Sequence, residues 1–134
     1  MGSRGLGDLE LSADGNTLYA VSPFNDQLVS LAVGSPPTAP GSAATTAIPR
    51  PANCPTAADF VPFALGVAPD TGMVYVGATC NARSTQNVAN LRGYVYAWNP
   101  AGPFPNACGG LRPGLPALRG SRLMSGNRGR RPAP

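Results

Sequence analysis

The chemistry open to this chain is limited by its small set of reactive side chains. Its 134 residues include six acidic and ten basic residues and no histidine. All ten basic residues are arginine, because the sequence has no lysine. This composition excludes Ser-His-Asp triads, imidazole general bases and histidine metal sites. It also excludes Schiff-base chemistry and the P-loop phosphate site, both of which need lysine.

Two of the carboxylates have the spacing of a cation site. Asp8 and Glu10 alternate with Leu9 and Leu11, and alternate residues of a strand project to one face. If this strand lines a channel, its carboxylates could bind Ca²⁺, a hard cation that takes oxygen ligands. A solvated strand face explains the same pattern, and we favour that interpretation. The sequence points to no other cofactor.

Two further acidic residues occupy turn positions. Asp14 precedes Gly15, and Asp70 stands two residues before Gly72. An aspartate side chain accepts hydrogen bonds from its own turn, and glycine adopts the positive φ angles that many turns require. We therefore interpret these four residues as structural, and we assign no catalytic residue.

The three cysteines permit a single disulfide. Cys54 and Cys80 flank a predicted pair of antiparallel strands, so the fold would bring them close together, whereas Cys108 lies near the C-terminus. A bridge between the first two would close a loop of about 27 residues, a constraint worth roughly 3.5 kcal/mol in the chain-entropy model. Two unpaired, buried thiols remain the alternative. Zinc is disfavoured without histidine or a Cys-x-x-Cys pair, and Cys108 lacks a histidine that would activate it.

Short strand patterns occur in two similar groups. Residues 17–21 and 27–33 form the first group with the leucines at 6–11, and 63–67, 73–77 and 93–98 form the second. The groups align without a gap at an offset of 56 residues, matching Leu11 with Val67, Asp14 with Asp70, Leu18 with Val74, and Tyr19 with Tyr75. Self-similarity of this kind is typical of repeats built from small antiparallel sheets.

Glycine and proline are frequent in this chain. With 17 Gly and 16 Pro, the composition lies between that of a loop-rich β protein and a disordered chain. Residues 34–58 hold six prolines and are predicted to form a loop insertion. Residues 107–134 are predicted to form a disordered tail rich in Arg, Gly and Pro. Residues 109–134 hold six arginines and no acid, whereas 1–108 carry a net charge of −2.

A resemblance to a known family is carried by 14–21 followed by 25–31, and by the shorter segments 5–12, 62–65 and 74–77. The first pair resembles a blade of bacterial YVTN- or NHL-like β-propellers, in which an S-x-D-G-x-x-L-Y-V turn and strand precede another turn and strand. The shorter segments are similar to the propeller region of large secreted bacterial proteins with SdrD-like or other Ig-like cell-surface repeats. The resemblance covers about residues 5–100 and departs from the pattern at Pro23 and after Asn106.

The resemblance implies an all-β chain whose antiparallel meanders form about two blades of an incomplete β-propeller. Residues 1–106 would hold this partial propeller, with blade units at 5–33 and 60–100 around the insertion. A closed propeller takes at least four blades, so we expect a fragment of a larger protein or, less favoured, a protomer that closes by oligomerising. The implied function is a non-catalytic scaffold or binding module for a protein or glycan partner. The parent protein would be secreted or displayed at the cell surface.

Two other functions stay open. Propellers of related shape include lactonases and phytases, in which Asp8 and Glu10 would hold a metal. The arginine-rich tail could attract nucleic acid or anionic lipid, although it lacks the interleaved aromatics of a single-strand binder and has the composition of GC-rich or frame-shifted coding sequence. We expect no membrane span, because no apolar run approaches ~20 residues. We likewise expect no signal peptide in the given sequence, because Gly-Ser-Arg-Gly follows Met1 in place of an apolar h-region.

Overall fold

The computed structural model describes residues 5–34, 36, 43–105 and 108–111, and in this part of the chain the architecture is all-β. The described residues contain eight strands in two antiparallel sheets, each a simple meander in chain order. This confirms the predicted fold class of two antiparallel meanders. The first sheet contains β1 (Leu9–Leu11), β2 (Thr17–Ser22), β3 (Gln27–Ala32) and β4 (Ala44–Ala47). The second contains β5 (Phe60–Val67), β6 (Val74–Cys80), β7 (Arg92–Trp98) and β8 (Cys108–Leu111).

Both fourth strands lie where the sequence predicts no regular structure. β4 falls inside the insertion at 34–58, where it pairs with β3 from Gln27↔Ala47 to Ser30↔Ala44. β8 falls at the start of the predicted disordered tail and pairs with β7. Each of these strands forms backbone hydrogen bonds with a neighbouring strand whose N–H and carbonyl groups would otherwise be unpaired. The amino-acid composition of the two segments does not indicate this pairing. The rest of the arginine-rich tail, residues 112–134, lies outside the described residues.

The repeat inferred from the sequence has a structural counterpart in the first turn of each sheet. The backbone N–H of Ser12 donates to the carbonyl of Thr17 at 2.7 Å, and 56 residues later the N–H of Ala68 donates to the carbonyl of Met73 at 2.9 Å. The two turns therefore close with the same hydrogen bond. They differ at the position of positive φ, which belongs to Gly15 in the first turn and to Gly72 in the second.

The two sheets pack face to face around one hydrophobic core. Residues paired across neighbouring strands share a face, so Val21 lies beside Leu28 in the first sheet and Val76 beside Tyr96 in the second. None of these four side chains is more than 1% exposed. The inner faces also contribute Tyr19, Leu65, Val74, Ala78, Tyr94 and Trp98 to the same core.

The aromatic residues of β7 lie in this core. Trp98 meets Tyr19 of the first sheet edge to face, with ring centroids 6.1 Å apart, and stacks on Phe104 at 5.6 Å. The phenol of Tyr96 donates a 2.6 Å hydrogen bond to the carbonyl of Pro49, and that of Tyr94 donates to Asn53 Oδ1 at 2.9 Å. Burial raises the pKa of the Tyr96 phenol above its ordinary value. The second half of the insertion thus covers the inner face of the second sheet.

The two sheets also join at their first strands. The backbone N–H of Asp8 donates to the carbonyl of Phe63 at 2.9 Å, and its carboxylate accepts from the N–H of Leu65 at 3.2 Å. A bulge in β5 between Pro62 and Ala64 frees Phe63 from the ladder with β6, so its carbonyl can face β1. Gly7 fits this junction because it lacks a side chain, since a Cβ there would lie 2.8 Å from the Phe63 carbonyl oxygen.

Candidate binding loop between β6 and β7

Asp59 holds the loop between β6 and β7 through hydrogen bonds of its side chain and its backbone. It ends a short 3-10 helix (Ala57–Asp59) just before β5 and is 1% exposed. One carboxylate oxygen accepts the backbone N–H of Ser84 at 2.8 Å, and the other accepts the Ser84 hydroxyl at 2.7 Å. The Asp59 carbonyl accepts the N–H of Asn81 at 2.9 Å. A residue next to β5 is thereby tied to the loop that leaves β6.

These hydrogen bonds fix the charge state of Asp59. Burial favours the neutral carboxyl, but the Ser84 side chain and the backbone N–H groups of Ser84, Thr85 and Arg83 favour the carboxylate more strongly. The pKa of Asp59 therefore lies below its ordinary value. The loop is held by a negative charge that its own N–H groups solvate in place of water.

The loop from Asn81 to Leu91 has a defined internal conformation. Ala82 and Gln86 adopt positive φ angles of 54° and 50°, which side chains other than glycine and asparagine seldom take. The N–H of Gln86 donates to the carbonyl of Ala82 at 2.9 Å. Asn87 caps the second 3-10 helix (Val88–Asn90) by accepting the N–H of Ala89 at 2.9 Å. Backbone strain of this kind persists where the surroundings enforce it, and it is common at binding sites.

The disulfide predicted from the sequence forms at the base of this loop. Cys54 and Cys80 are bonded, with Cα atoms 5.7 Å apart, and both are fully buried. Cys80 is the last residue of β6, so the bridge anchors the strand from which the loop departs. A guanidinium N–H of Arg50 donates to the carbonyl of Cys54 and secures the other half of the bridge.

The surface of the loop forms an open cavity of about 410 Å³. Its walls combine amide, guanidinium and aliphatic groups from Asn81, Ala82, Arg83, Gln86, Asn87, Val88 and Leu91. Val88 is 74% exposed and Leu91 is 40% exposed. Exposed aliphatic groups beside an arginine and three carboxamides suit a ligand with apolar and anionic or amide groups side by side.

Asp8 and Glu10, the two carboxylates considered as ligands for a cation, lie near the start of the first sheet, away from this loop. One Asp8 oxygen accepts the N–H of Leu9 at 3.0 Å and the other accepts that of Leu65, so both are engaged by backbone donors. Glu10 pairs with Tyr19 in the β1–β2 ladder and is exposed. Among the described residues, no group of three or more His, Cys, Asp or Glu side chains is placed to hold a metal ion. In the part of the chain that the structure describes, no helix has the length and apolar character to cross a membrane.

The turn residues lie at the opposite end of the sheets. Asp14 accepts the Ser12 hydroxyl at 2.6 Å and the backbone N–H of Asn16 at 3.1 Å. The Ser12 hydroxyl and the Asn16 groups hold the pKa of Asp14 below its usual value. Asp14 and Gly72, from the two repeats, border one open cavity of about 240 Å³. Asp70 is exposed in the matching turn of the second sheet.

Sequence reasoning missed Asp59, although a signal was present. Asp59 stands between two alanines and the apolar strand that begins at Phe60. A charged side chain among apolar residues is either exposed to solvent at the end of a strand or buried with hydrogen-bond donors or an opposite charge beside it. Its partners come from a loop 25 residues away, and no local pattern links the two segments.

No protein-family model matches this sequence, and no curated protein matches it either.

Proposed function

We propose that the chain is a non-catalytic binding module of the β-propeller type, belonging to a secreted or surface-associated bacterial protein, and that the loop from Asn81 to Leu91 contacts its partner. The observation that carries this proposal is the buried Asp59 carboxylate, which holds the loop in one conformation through Ser84. A loop fixed before binding loses less conformational entropy when it meets a partner.

The sheet arrangement supports the propeller part of the proposal. Two antiparallel meanders of four strands repeat along the chain and pack face to face. Their first strands lie side by side at the Asp8–Phe63 junction. Blades of a propeller are meanders of this size, arranged around a common centre.

The disulfide supports the proposed location. Bridges such as Cys54–Cys80 persist in oxidising compartments and are rare in the bacterial cytosol. The bridge also stabilises the start of the loop, because Cys80 is the last residue of the strand that precedes the loop.

The chemistry of the loop favours a protein segment over a glycan as the partner. The exposed groups are the aliphatic side chains of Val88 and Leu91 beside the guanidinium of Arg83. Glycan sites are typically built on exposed aromatic rings, whereas the residues that line the loop cavity include no aromatic side chain, and Tyr94, Tyr96 and Trp98 of β7 are buried. An acidic segment with an aliphatic residue next to its carboxylate would satisfy both parts of this surface.

A parallel screen tests the proposal. The intact chain, immobilised, is probed with a displayed library of random peptides and with a glycan array. We expect enrichment of peptides that carry Asp or Glu beside an aliphatic residue. Arg83→Glu and Val88→Asp should each weaken the binding of such a peptide by about tenfold or more, because a charge-assisted hydrogen bond or a buried aliphatic group is worth about 1.5–3 kcal/mol.

The matched control is Ala13→Asp, which introduces the same charge at an exposed turn at the other end of the sheets. It should leave peptide binding unchanged. Selection of glycans alone would refute the choice of partner, and binding that ignores Arg83→Glu and Val88→Asp would refute the role of the loop.

A further inference from the structure

Each sheet has a second face that lies away from the shared core and carries no charged residue among its described side chains. In the first sheet we define the leucine face by the pairs Leu9↔Ala20, Leu11↔Leu18, Leu18↔Leu31 and Ala20↔Val29. In the second sheet we define the tyrosine face by Tyr75↔Ala97, Gly77↔Val95 and Ala64↔Gly77. Leu9 and Leu11 are 50% and 48% exposed, and Tyr75 and Val95 are 42% and 43% exposed. Both faces thus present apolar side chains to solvent.

The repeat relates these outer faces to the inner ones. At the offset of 56, Leu9 and Leu18 of the leucine face correspond to Leu65 and Val74, which the second sheet packs against the first. In the same way, Tyr75 of the tyrosine face corresponds to Tyr19, which the first sheet packs against the second. The two sheets are therefore stacked in the same sense, front to back.

Front-to-back stacking has a direct consequence for the exposed surfaces. Inside the molecule, the face of the first sheet that carries Tyr19 packs on the face of the second sheet that carries Leu65 and Val74. One face of the tyrosine type therefore meets one face of the leucine type. The molecule then exposes one further face of each type, at opposite ends of the stack. These two outer faces are matched to each other by the same pattern that already packs within the chain.

From this geometry we infer that a second copy of the chain docks its leucine face on the tyrosine face of the first. The contact is heterologous, joining different surfaces of identical molecules, so it continues until a ring closes or a chain of molecules grows. The absence of charge on both faces, as defined, removes the desolvation cost that would oppose it. This inference stands on the repeat and does not depend on the loop from Asn81 to Leu91.

Complementation between two variants tests this contact. Leu11→Arg places a charge on the leucine face, and Val95→Arg places one on the tyrosine face. By sedimentation across a concentration series, the wild-type chain should be larger than its 13.6 kDa monomer, and each variant alone should be monomeric. An equimolar mixture should form 1:1 dimers, because each variant retains the face that the other lacks. Circular dichroism identifies any variant that fails to fold, in which case Leu9→Arg or Tyr75→Arg replaces it.

The control is Val88→Arg, whose side chain is 74% exposed in the loop and lies on neither face. It should associate as the wild type does, because the loop takes no part in this contact. A monomeric wild-type chain would overturn the inference. So would association that survives in Leu11→Arg and Val95→Arg separately, because that result indicates pairing through strand edges.

Discussion

At the scale of single residues, three carboxylates act as fixed acceptors for backbone N–H groups. Asp8 joins the two sheets through Leu65, Asp14 closes a turn through Asn16, and Asp59 orders a loop through Ser84. Each carboxylate fixes the local backbone conformation by accepting a hydrogen bond from a backbone N–H group. Their chemistry is structural, and the binding surface depends on the constraint that Asp59 imposes.

Replacement of Asp59 by asparagine should destabilise the chain and loosen the loop. The amide keeps the size of the side chain but loses the charge and one acceptor oxygen, so a Ser84 donor is left weakly satisfied. We expect a lower melting temperature and faster amide exchange at Ser84 and Thr85. Asp70→Asn, at an exposed turn, should change neither measurement.

The same substitution should alter the pH dependence of stability. A carboxyl whose pKa is lower in the folded state contributes stability above its unfolded value, near 3.8, and loses it as pH falls through the folded value. The melting temperature of the wild type should therefore fall with decreasing pH between about pH 5 and pH 1. Asp59→Asn should show a shallower decline, and an identical decline would contradict the assigned role of the carboxylate.

At the scale of elements, the junction of β1 with β5 depends on the absence of a side chain. A Cβ at position 7 would lie 2.8 Å from the carbonyl oxygen of Phe63 and 3.3 Å from Cβ of Val21. Neither neighbour is a flexible chain end, so the backbone itself would have to move. The two sheets are therefore held at a separation that glycine alone allows.

Gly7→Ala should lower the free energy of unfolding by about 1–3 kcal/mol, the usual cost of overpacking. Gly5→Ala provides the control, because a Cβ at Gly5 meets nothing within 4 Å. Urea unfolding of both variants measures the difference. Equal stability of the two variants would show that β1 and β5 do not meet as described.

At the scale of the whole molecule, the insertion behaves as part of the core. Ile48 is 3% exposed, Pro49 accepts the Tyr96 phenol, and Cys54 is bonded to Cys80. The segment thus runs from the edge of the first sheet across the inner face of the second. The disulfide restricts the unfolded chain and fastens this crossing at one point.

Removal of the disulfide should cost about 3.5 kcal/mol of unfolding free energy, the value that the chain-entropy model gives for a loop of this length. The double variant Cys54→Ala with Cys80→Ala and the reduced wild-type chain should lose similar amounts in urea unfolding. Cys108→Ala, which leaves the bridge intact, should lose far less. A bridge-free chain as stable as the wild type would contradict this account.

The sequence by itself determined the β-rich class and the two turn-and-strand repeats, and it favoured the pairing of Cys54 with Cys80, which the structure contains. These features are encoded locally, in alternating apolar residues, turn residues such as Gly15 and the spacing of two cysteines. Local patterns suffice because a strand and its turn are formed by neighbouring residues.

The tertiary structure alone decided the two added strands and the Asp59–Ser84 contact. β4 and β8 form because neighbouring strands offer unpaired N–H and carbonyl groups, whatever their own composition. Asp59 meets Ser84 because β5 and β6 run side by side, which brings distant segments to one end of the sheet. Contacts of this kind join residues far apart in the chain, so they follow from the packing of the sheets and leave little trace in the sequence around them.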